Sequence, residues 1–287
     1  MKKVIASAMA LFALVSCSNN IPEPETPDNS KSETPETPEI VLNTGRMLSL
    51  DGPYISSTYE YDDKGRVVKV ICHDHNMEYN SEYKYDNDRI YVSYQQYRLL
   101  SDGEYDIGSQ YTFSRQDTLF LVNGRVDSCA GAKMNIHFFF KYRYNERGEL
   151  IHLRNENVNE RYGKNPCYEE ELTYEWENGN ITKRTSFSQN RYTTTVTYRY
   201  SSLTGNLDFV EPRNYLIEFD GLVANGYYGV ACKNLVESVE YSDGFIFKYA
   251  YELDEHQKVK TLKDIRNYDE EHSQTLEYNI KWDNTQY

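Results

Sequence analysis

Tyrosines alternate with polar residues, stop at an acidic turn, and give way to β-branched residues, over and over along this chain. The clearest stretch is Tyr59-Glu60-Tyr61-Asp62-Asp63-Lys64-Gly65-Arg66-Val67-Val68. Tyr83-Lys84-Tyr85, Tyr142-Arg143-Tyr144, Tyr174-Glu175-Trp176, Tyr198-Arg199-Tyr200, Tyr249-Ala250-Tyr251 and Tyr278-Asn279-Ile280 follow the same scheme, with Tyr111-Thr112-Phe113 as a looser copy. A period of two puts both rings of each Tyr-x-Tyr on one face of a strand. Gly65 after the acidic pair supplies the positive φ of a tight hairpin. Asn123-Gly124, Asn178-Gly179 and Asp243-Gly244 are further turn signals between strand-like runs. Each module therefore reads as a hairpin: Tyr-x-Tyr closes one strand, and a run such as Val67-Val68-Lys69-Val70 opens the next.

No segment keeps a helical period over three turns. The modules recur at roughly 24- to 32-residue intervals up to Tyr198, the spacing of a repeat architecture. A longer gap then holds an insertion at about 208–242, in which 231–239 reads as a short helix or an extended loop. The pattern predicts an all-β protein, an antiparallel meander of tandem hairpins with about fourteen to sixteen strands. A sheet that long curls or closes on itself. The expected fold is thus a curved sheet or closed barrel, with closure favoured because it hides the edges. A membrane-spanning barrel needs an outward apolar band. These strands carry charge on both sides, as in Lys141-Tyr142-Arg143 and Glu169-Glu170-Glu171, so a soluble, tethered barrel is the expectation.

The ends change the picture more than the composition does. Lys2 and Lys3 precede an apolar run from Val4 to Val15 that is too short to span a bilayer. It leads to Leu14-Val15-Ser16-Cys17, which resembles a bacterial lipobox, so residues 1–16 read as a signal peptide and Cys17 as the lipidation site. More than one acyl chain makes such an anchor stable. Residues 17–42 read as a disordered Pro/Glu/Thr-rich tether holding Pro22, Pro24, Pro27, Pro35 and Pro38. Residues 43–287 then form a single Tyr-rich domain. The formal net charge of −14, with 31 basic against 45 acidic residues, lacks the basic footprint that nucleic acid requires.

Cys72, Cys129, Cys167 and Cys232 form no Cys-x-x-Cys pair, which excludes zinc-ribbon and thioredoxin-like spacing. Two disulfides of unassigned connectivity, or buried free thiols, both fit an oxidising compartment.

Two resemblances follow from the modules. Tyr61-Asp62-Asp63-Lys64-Gly65-Arg66-Val67 resembles the YD (Rhs) repeat, although the copies are too few for that family's closed shells. A broader resemblance joins the lipobox, the tail, the tyrosine hairpins, Asn225-Gly226-Tyr227-Tyr228-Gly229-Val230-Ala231-Cys232-Lys233-Asn234-Leu235, and Tyr241-Ser242-Asp243-Gly244. Together these resemble a lipoprotein family of Gram-negative gut anaerobes whose domain of unknown function has a porin-like fold. That resemblance implies a porin-like β fold and an outer-membrane location, with no activity to carry over.

Few residues point to chemistry. His73 and His75, two apart on a strand, are weak candidate metal ligands. Glu169-Glu170-Glu171 and Asp269-Glu270-Glu271-His272 are the acidic runs that suggest glycoside-hydrolase carboxylates. No Gly-x-Ser-x-Gly, Walker loop or His-Glu-x-x-His is present, so no enzyme and no cofactor are expected. Tyrosine, at 28 residues, suits both a sheet core and the stacking of sugars or proteins. The insertion is the expected binding surface, with Tyr227 and Tyr228 as stacking rings and Asn225 and Asn234 as hydrogen-bonding groups. The expected function is a non-enzymatic envelope module that binds glycan, peptide or another envelope protein. A structural accessory subunit without a small ligand is the alternative.

Overall fold

The computed structural model describes residues 46–100, 103–106, 109, 111–133, 136–159, 166–188, 193–205, 207, 222–223, 225–267 and 273–283. The chain divides into two units, 1–39 and 40–287, and the described residues all lie in the second. The expected signal peptide, Cys17 and the tether lie outside the described residues, as do 208–221 of the insertion and Asp269 to His272.

Sixteen antiparallel strands follow one another around a closed barrel. In chain order they are β1 (Arg46–Asp51), β2 (Ile55–Tyr61), β3 (Val67–Asp74), β4 (Met77–Tyr85), β5 (Arg89–Arg98), β6 (Phe113–Val122), β7 (Arg125–Lys133) and β8 (Ile136–Tyr144). The second half holds β9 (Leu150–Asn159), β10 (Pro166–Glu177), β11 (Asn180–Ser188), β12 (Thr194–Thr204), β13 (Asn234–Tyr241), β14 (Ile246–Leu253), β15 (Val259–Asn267) and β16 (Ser273–Asp283). Each strand pairs with its sequence neighbours, and β1 closes the ring on β16 through Leu50 opposite Ile280. The sheet closes, and no open edge remains to be protected.

Alternation sorts the residues by face. Tyr59, Tyr83, Tyr142, Tyr174, Tyr198 and Tyr278, the first rings of their modules, are buried inside with Leu119, Leu153, Leu172 and Val239. Outside stand opposite-charge pairs between neighbouring strands, such as Lys183–Glu175 at 2.8 Å and Lys263–Glu252 at 2.8 Å. Exposed pairs of this kind add little stability, but they keep the wall wet. The outer wall is polar and the inner wall is tyrosine-rich.

The second ring of each module has a different task. Tyr61 donates its hydroxyl to the Met47 carbonyl at 2.7 Å, Tyr85 to Val67, Tyr144 to Val126, Tyr200 to Ile181 and Tyr251 to Val236. Two indole N–H groups act likewise, Trp176 on Leu150 and Trp282 on Val259, each at 2.7 Å. In all seven cases the accepting carbonyl belongs to a residue of the preceding odd-numbered strand where the ladder slips. Val67 pairs with Tyr61, but Lys69 pairs with Glu60, and the same shift follows Val126, Leu150, Ile181, Val236 and Val259. In β1 the shift lies between Met47 and Ser49. A bulge takes a carbonyl out of the ladder, and the aromatic clasp satisfies it. The exception supports the rule. β5 runs without a bulge against both β4 and β6, and β6 carries Leu121 where a clasp would stand. Burial pushes the clasping Tyr61 phenol up to about 12.

The turns match the sequence. Gly65 has φ of 79°, and Asp62 Oδ1 accepts from the backbone N–H of Lys64 and Arg66. Asn145 does the same for Arg147 and Glu149, and Asp254 for His256 and Lys258. One side-chain oxygen thus holds each turn, and Asn serves as well as Asp.

Two expectations need correction. Tyr111-Thr112-Phe113 does not close a strand: Phe113 opens β6. The insertion ends earlier than expected, because Asn234–Tyr241 is strand β13, so the 231–239 stretch is mostly extended rather than helical. Its Leu235, Val236 and Val239 are buried, a spacing of i, i+1 and i+4 that a helix face would also have grouped, which is why the pattern admits both readings.

Candidate functional site

The hairpin turns alternate between the two ends of the barrel. At one end, the clasp end, lie the turns after β2, β6, β8 and β10. The insertion crosses this end as a plug. Asn225 Oδ1 accepts from Val67 N at 2.7 Å, and its Nδ2 donates to Gly65 O. Val126 N donates to Tyr227 O, Val230 N to Gly148 O, and Lys233 N to Gly179 O. Four rim turns are thereby stitched to one segment. A Cβ at Gly229 would collide with Gly148 O, so this close crossing requires glycine.

Three of the predicted binding residues, Asn225, Tyr227 and Tyr228, belong to this plug, and Asn234 opens β13 beside it. Tyr228 is 0% exposed, its ring 5.2 Å from that of Tyr142, and burial pushes both phenols well above their ordinary range. Tyr227 is half-buried and stacks on Tyr85 at 5.8 Å, while the Arg66 guanidinium lies 4.3 Å from the Tyr85 ring. Asn225 is buried in its two rim bonds. The Asn234 backbone N–H donates to Asn180 Oδ1, and the two side-chain amides meet at 3.1 Å. The structure spends each of the four on a different part of the rim, so they fasten the lid of the core and do not form one binding surface.

Other candidates separate. His73 lies on the outer wall beside Glu78, whereas His75 sits in the β3–β4 turn with φ of 54°, stacked on Tyr54 and bonded to Asp74. They do not share a strand face as the spacing suggested, because the strand ends at Asp74. Among the described residues no cluster of three potential metal ligands occurs. Glu170 points inward and is buried, with Ser186 Oγ donating to it at 2.9 Å, while Glu171 points outward toward His152 and Arg154. Neighbouring strand residues face opposite ways, so these carboxylates do not form a pair. Cys129 and Cys232 are buried and Cys72 is half-buried, and the Cys167 side chain lies outside the described residues.

The other end, the loop end, has a different inner wall. From mid-barrel onward the inward positions turn polar: Arg115 and Asp117 at 3.0 Å, Arg266 and Asp264 at 2.7 Å, then Asn155, Glu170 and Ser188. Arg115 lies between two rings, 4.6 Å from Tyr94 and 5.0 Å from Phe138. At the rim, Tyr97 and Tyr105 meet at 4.7 Å, and Tyr105 OH donates to Glu78 at 2.9 Å. Tyr105 and Tyr111 remain 44% and 49% exposed, with the Arg98 guanidinium 5.6 Å from the Tyr111 ring. Sequence reasoning missed this end. Its signal was the non-repeat run Tyr94-Gln95-Gln96-Tyr97, whose tyrosines fall outside the modules.

No protein-family profile matches the chain, and no curated protein matches it in sequence. The barrel is similar to a porin-like protein from Bacteroides uniformis, with a TM-score of 0.62 and 11% identity over 84% of this chain and 99% of that one. It is also similar to a porin-like protein from Bacteroides vulgatus, with a TM-score of 0.54 and 11% identity over 83% and 99% of the two chains. At that identity the likeness carries the fold: the chain is a closed, porin-like antiparallel barrel.

Proposed function

We propose that this protein is an outer-membrane lipoprotein, tethered through Cys17, whose barrel stands outside the bilayer and binds an envelope ligand without chemistry. The polarity of the wall carries this reading. A membrane-spanning barrel shows lipid an apolar band. Here the outward positions of β4 include Asn80, Glu82 and Lys84, and those of β16 are Thr275, Glu277, Asn279 and Lys281, while tyrosine and leucine fill the inside. The exposed rings of Phe139 and Phe187 each stand opposite a glutamate, Glu156 and Glu171. Such a wall belongs in water, and the anchoring then falls to lipid on Cys17. The two ends support a binding role over a purely structural one. The clasp end is closed by a plug, whereas the loop end keeps exposed aromatics beside polar groups, the composition of a recognition surface. Glu170 and Glu171, the carboxylates that a hydrolase reading would pair, point to opposite faces of the sheet.

Fractionation of cells expressing wild type and Cys17→Ala tests the anchoring. Labelled palmitate is expected on wild type alone, with Cys17→Ala released from carbonate-washed membranes. Retention of Cys17→Ala in the membrane pellet would show that the barrel itself spans the bilayer.

A further inference from the structure

The inner wall near the loop end contains a polar group that packing alone does not explain. Asn155 on β9 points inward, opposite Phe140 on one side and Glu170 on the other. It is 6% exposed, and its Oδ1 has no hydrogen-bond partner among the described residues. A buried acceptor left without a donor loses its hydration with nothing in exchange. Around it the register places Ser188 opposite Glu170 and Asn157 opposite Phe138. Ser186 Oγ already donates to Glu170 Oε1, and the Phe138 and Phe140 rings lie 5.7 Å apart on the neighbouring strand. An amide carbonyl, hydroxyls and a carboxylate thus stand beside two aromatic rings set edge to face.

We infer that the loop-end interior around Asn155 is a binding site for a neutral saccharide unit, whose hydroxyl donates to Asn155 Oδ1 while its apolar face rests on the Phe140 ring opposite. The inference rests on the binding role proposed above and names its site. Three features select the ligand class. The acceptor calls for a donor, which each sugar hydroxyl supplies in many directions. The inward arginines have their own carboxylates, Arg115 with Asp117 and Arg266 with Asp264, and Glu170 adds an inward acceptor, so the site calls for a ligand rich in donors rather than an anion. The closed sheet offers no edge to which a peptide strand could add, which removes the commonest route to backbone recognition of peptides.

The test is isothermal titration of the full-length protein in detergent micelles with neutral oligosaccharides of glucose, galactose, mannose and N-acetylglucosamine. Asn155→Leu is run beside wild type, with Asn155→Ala in parallel as the less bulky change, and each variant is melted without ligand. The expected result is saccharide binding by wild type and a loss of about tenfold or more in both variants, with melting temperatures kept or raised. Wild-type affinity in folded variants overturns this site and leaves the binding role standing, with the saccharide bound elsewhere. Absence of binding by wild type overturns the inference in favour of an interior that holds water alone. If co-purification then also returns no envelope protein, the binding role itself fails.

Discussion

The two ends of this barrel are made by the same strands and differ in almost everything else. At the clasp end, bulged odd strands surrender a carbonyl, an aromatic clasp takes it, and a plug of glycines and tyrosines seals the opening. At the loop end the same strands carry inward arginine, carboxylate and amide groups, with exposed rings at the rim. Burying tyrosines and leucines stabilises a domain, whereas polar groups kept inside cost stability unless something binds them. The contrast separates the half of the molecule that holds it together from the half that is free to recognise.

The largest expected effect comes from breaking the sealed end. Tyr228→Ala removes a fully buried ring between Tyr142 and the rim. Such truncations cost about 3–5 kcal/mol, which lowers the melting temperature of a domain this size by roughly 10 °C. Saccharide binding at the opposite end is expected to survive in whatever fraction remains folded. A variant that melts like wild type yet loses binding would reverse the assignment of the two ends.

A smaller effect tests the clasps. Tyr85→Phe keeps the ring stacked on Tyr227 but leaves the Val67 carbonyl without its donor, at a cost of about 1 kcal/mol. Tyr105→Phe, at the loop end, removes a hydroxyl that water can replace at the exposed rim, and denaturant unfolding is expected to show no change. Equal losses in the two variants would mean that the bulge carbonyls do not need their clasps.

The smallest effect is one of pH. Burial would raise the Asp62 carboxyl, but the backbone and guanidinium of Arg66 outweigh it and hold the group low; the backbone N–H groups of Lys258 and His256 do the same for Asp254. A carboxyl lowered in the folded state stabilises above its unfolded value, near 3.8 here, and that contribution is lost as pH falls through the folded value. Asn145 shows that an amide holds the same turn without titrating. The Asp62→Asn, Asp254→Asn double variant is therefore expected to lose less stability than wild type between about pH 4 and 2 in acid titrations followed by circular dichroism. Parallel acid curves would place the sensitivity elsewhere.

What was legible in the sequence was what neighbours along the chain decide. Gly65, the Asn-Gly pairs and the period of two are local, and they led to hairpins, strand number and closure. The double role of Tyr-x-Tyr was half legible: alternation placed both rings inside, but only cross-strand register makes the second ring reach a bulge carbonyl. Asn155, Glu170 and Ser188 became one inner layer through pairings that no spacing announces. Tyr227 and Tyr228 looked like an exposed motif between glycines, yet those glycines let the chain approach the Gly148 rim closely enough to bury a ring. Flanking glycines mark close approach, and the sequence does not say to what.

The pairing of β1 with β16 also has a consequence in time. Every other contact in the ring joins consecutive strands, so hairpins can assemble as the chain emerges, at the speed of local contacts. Closure alone must join residues near 50 to residues near 280, through Leu50 and Ile280. Until the final strand arrives, both β1 and the growing end present unpaired backbone, a template for pairing with other chains. Synthesis runs from the first strand to the last, so β1 waits longest. Whatever escorts this chain to its compartment has one edge to guard from the start, and the protein becomes safe from its own copies only when its last strand docks on its first.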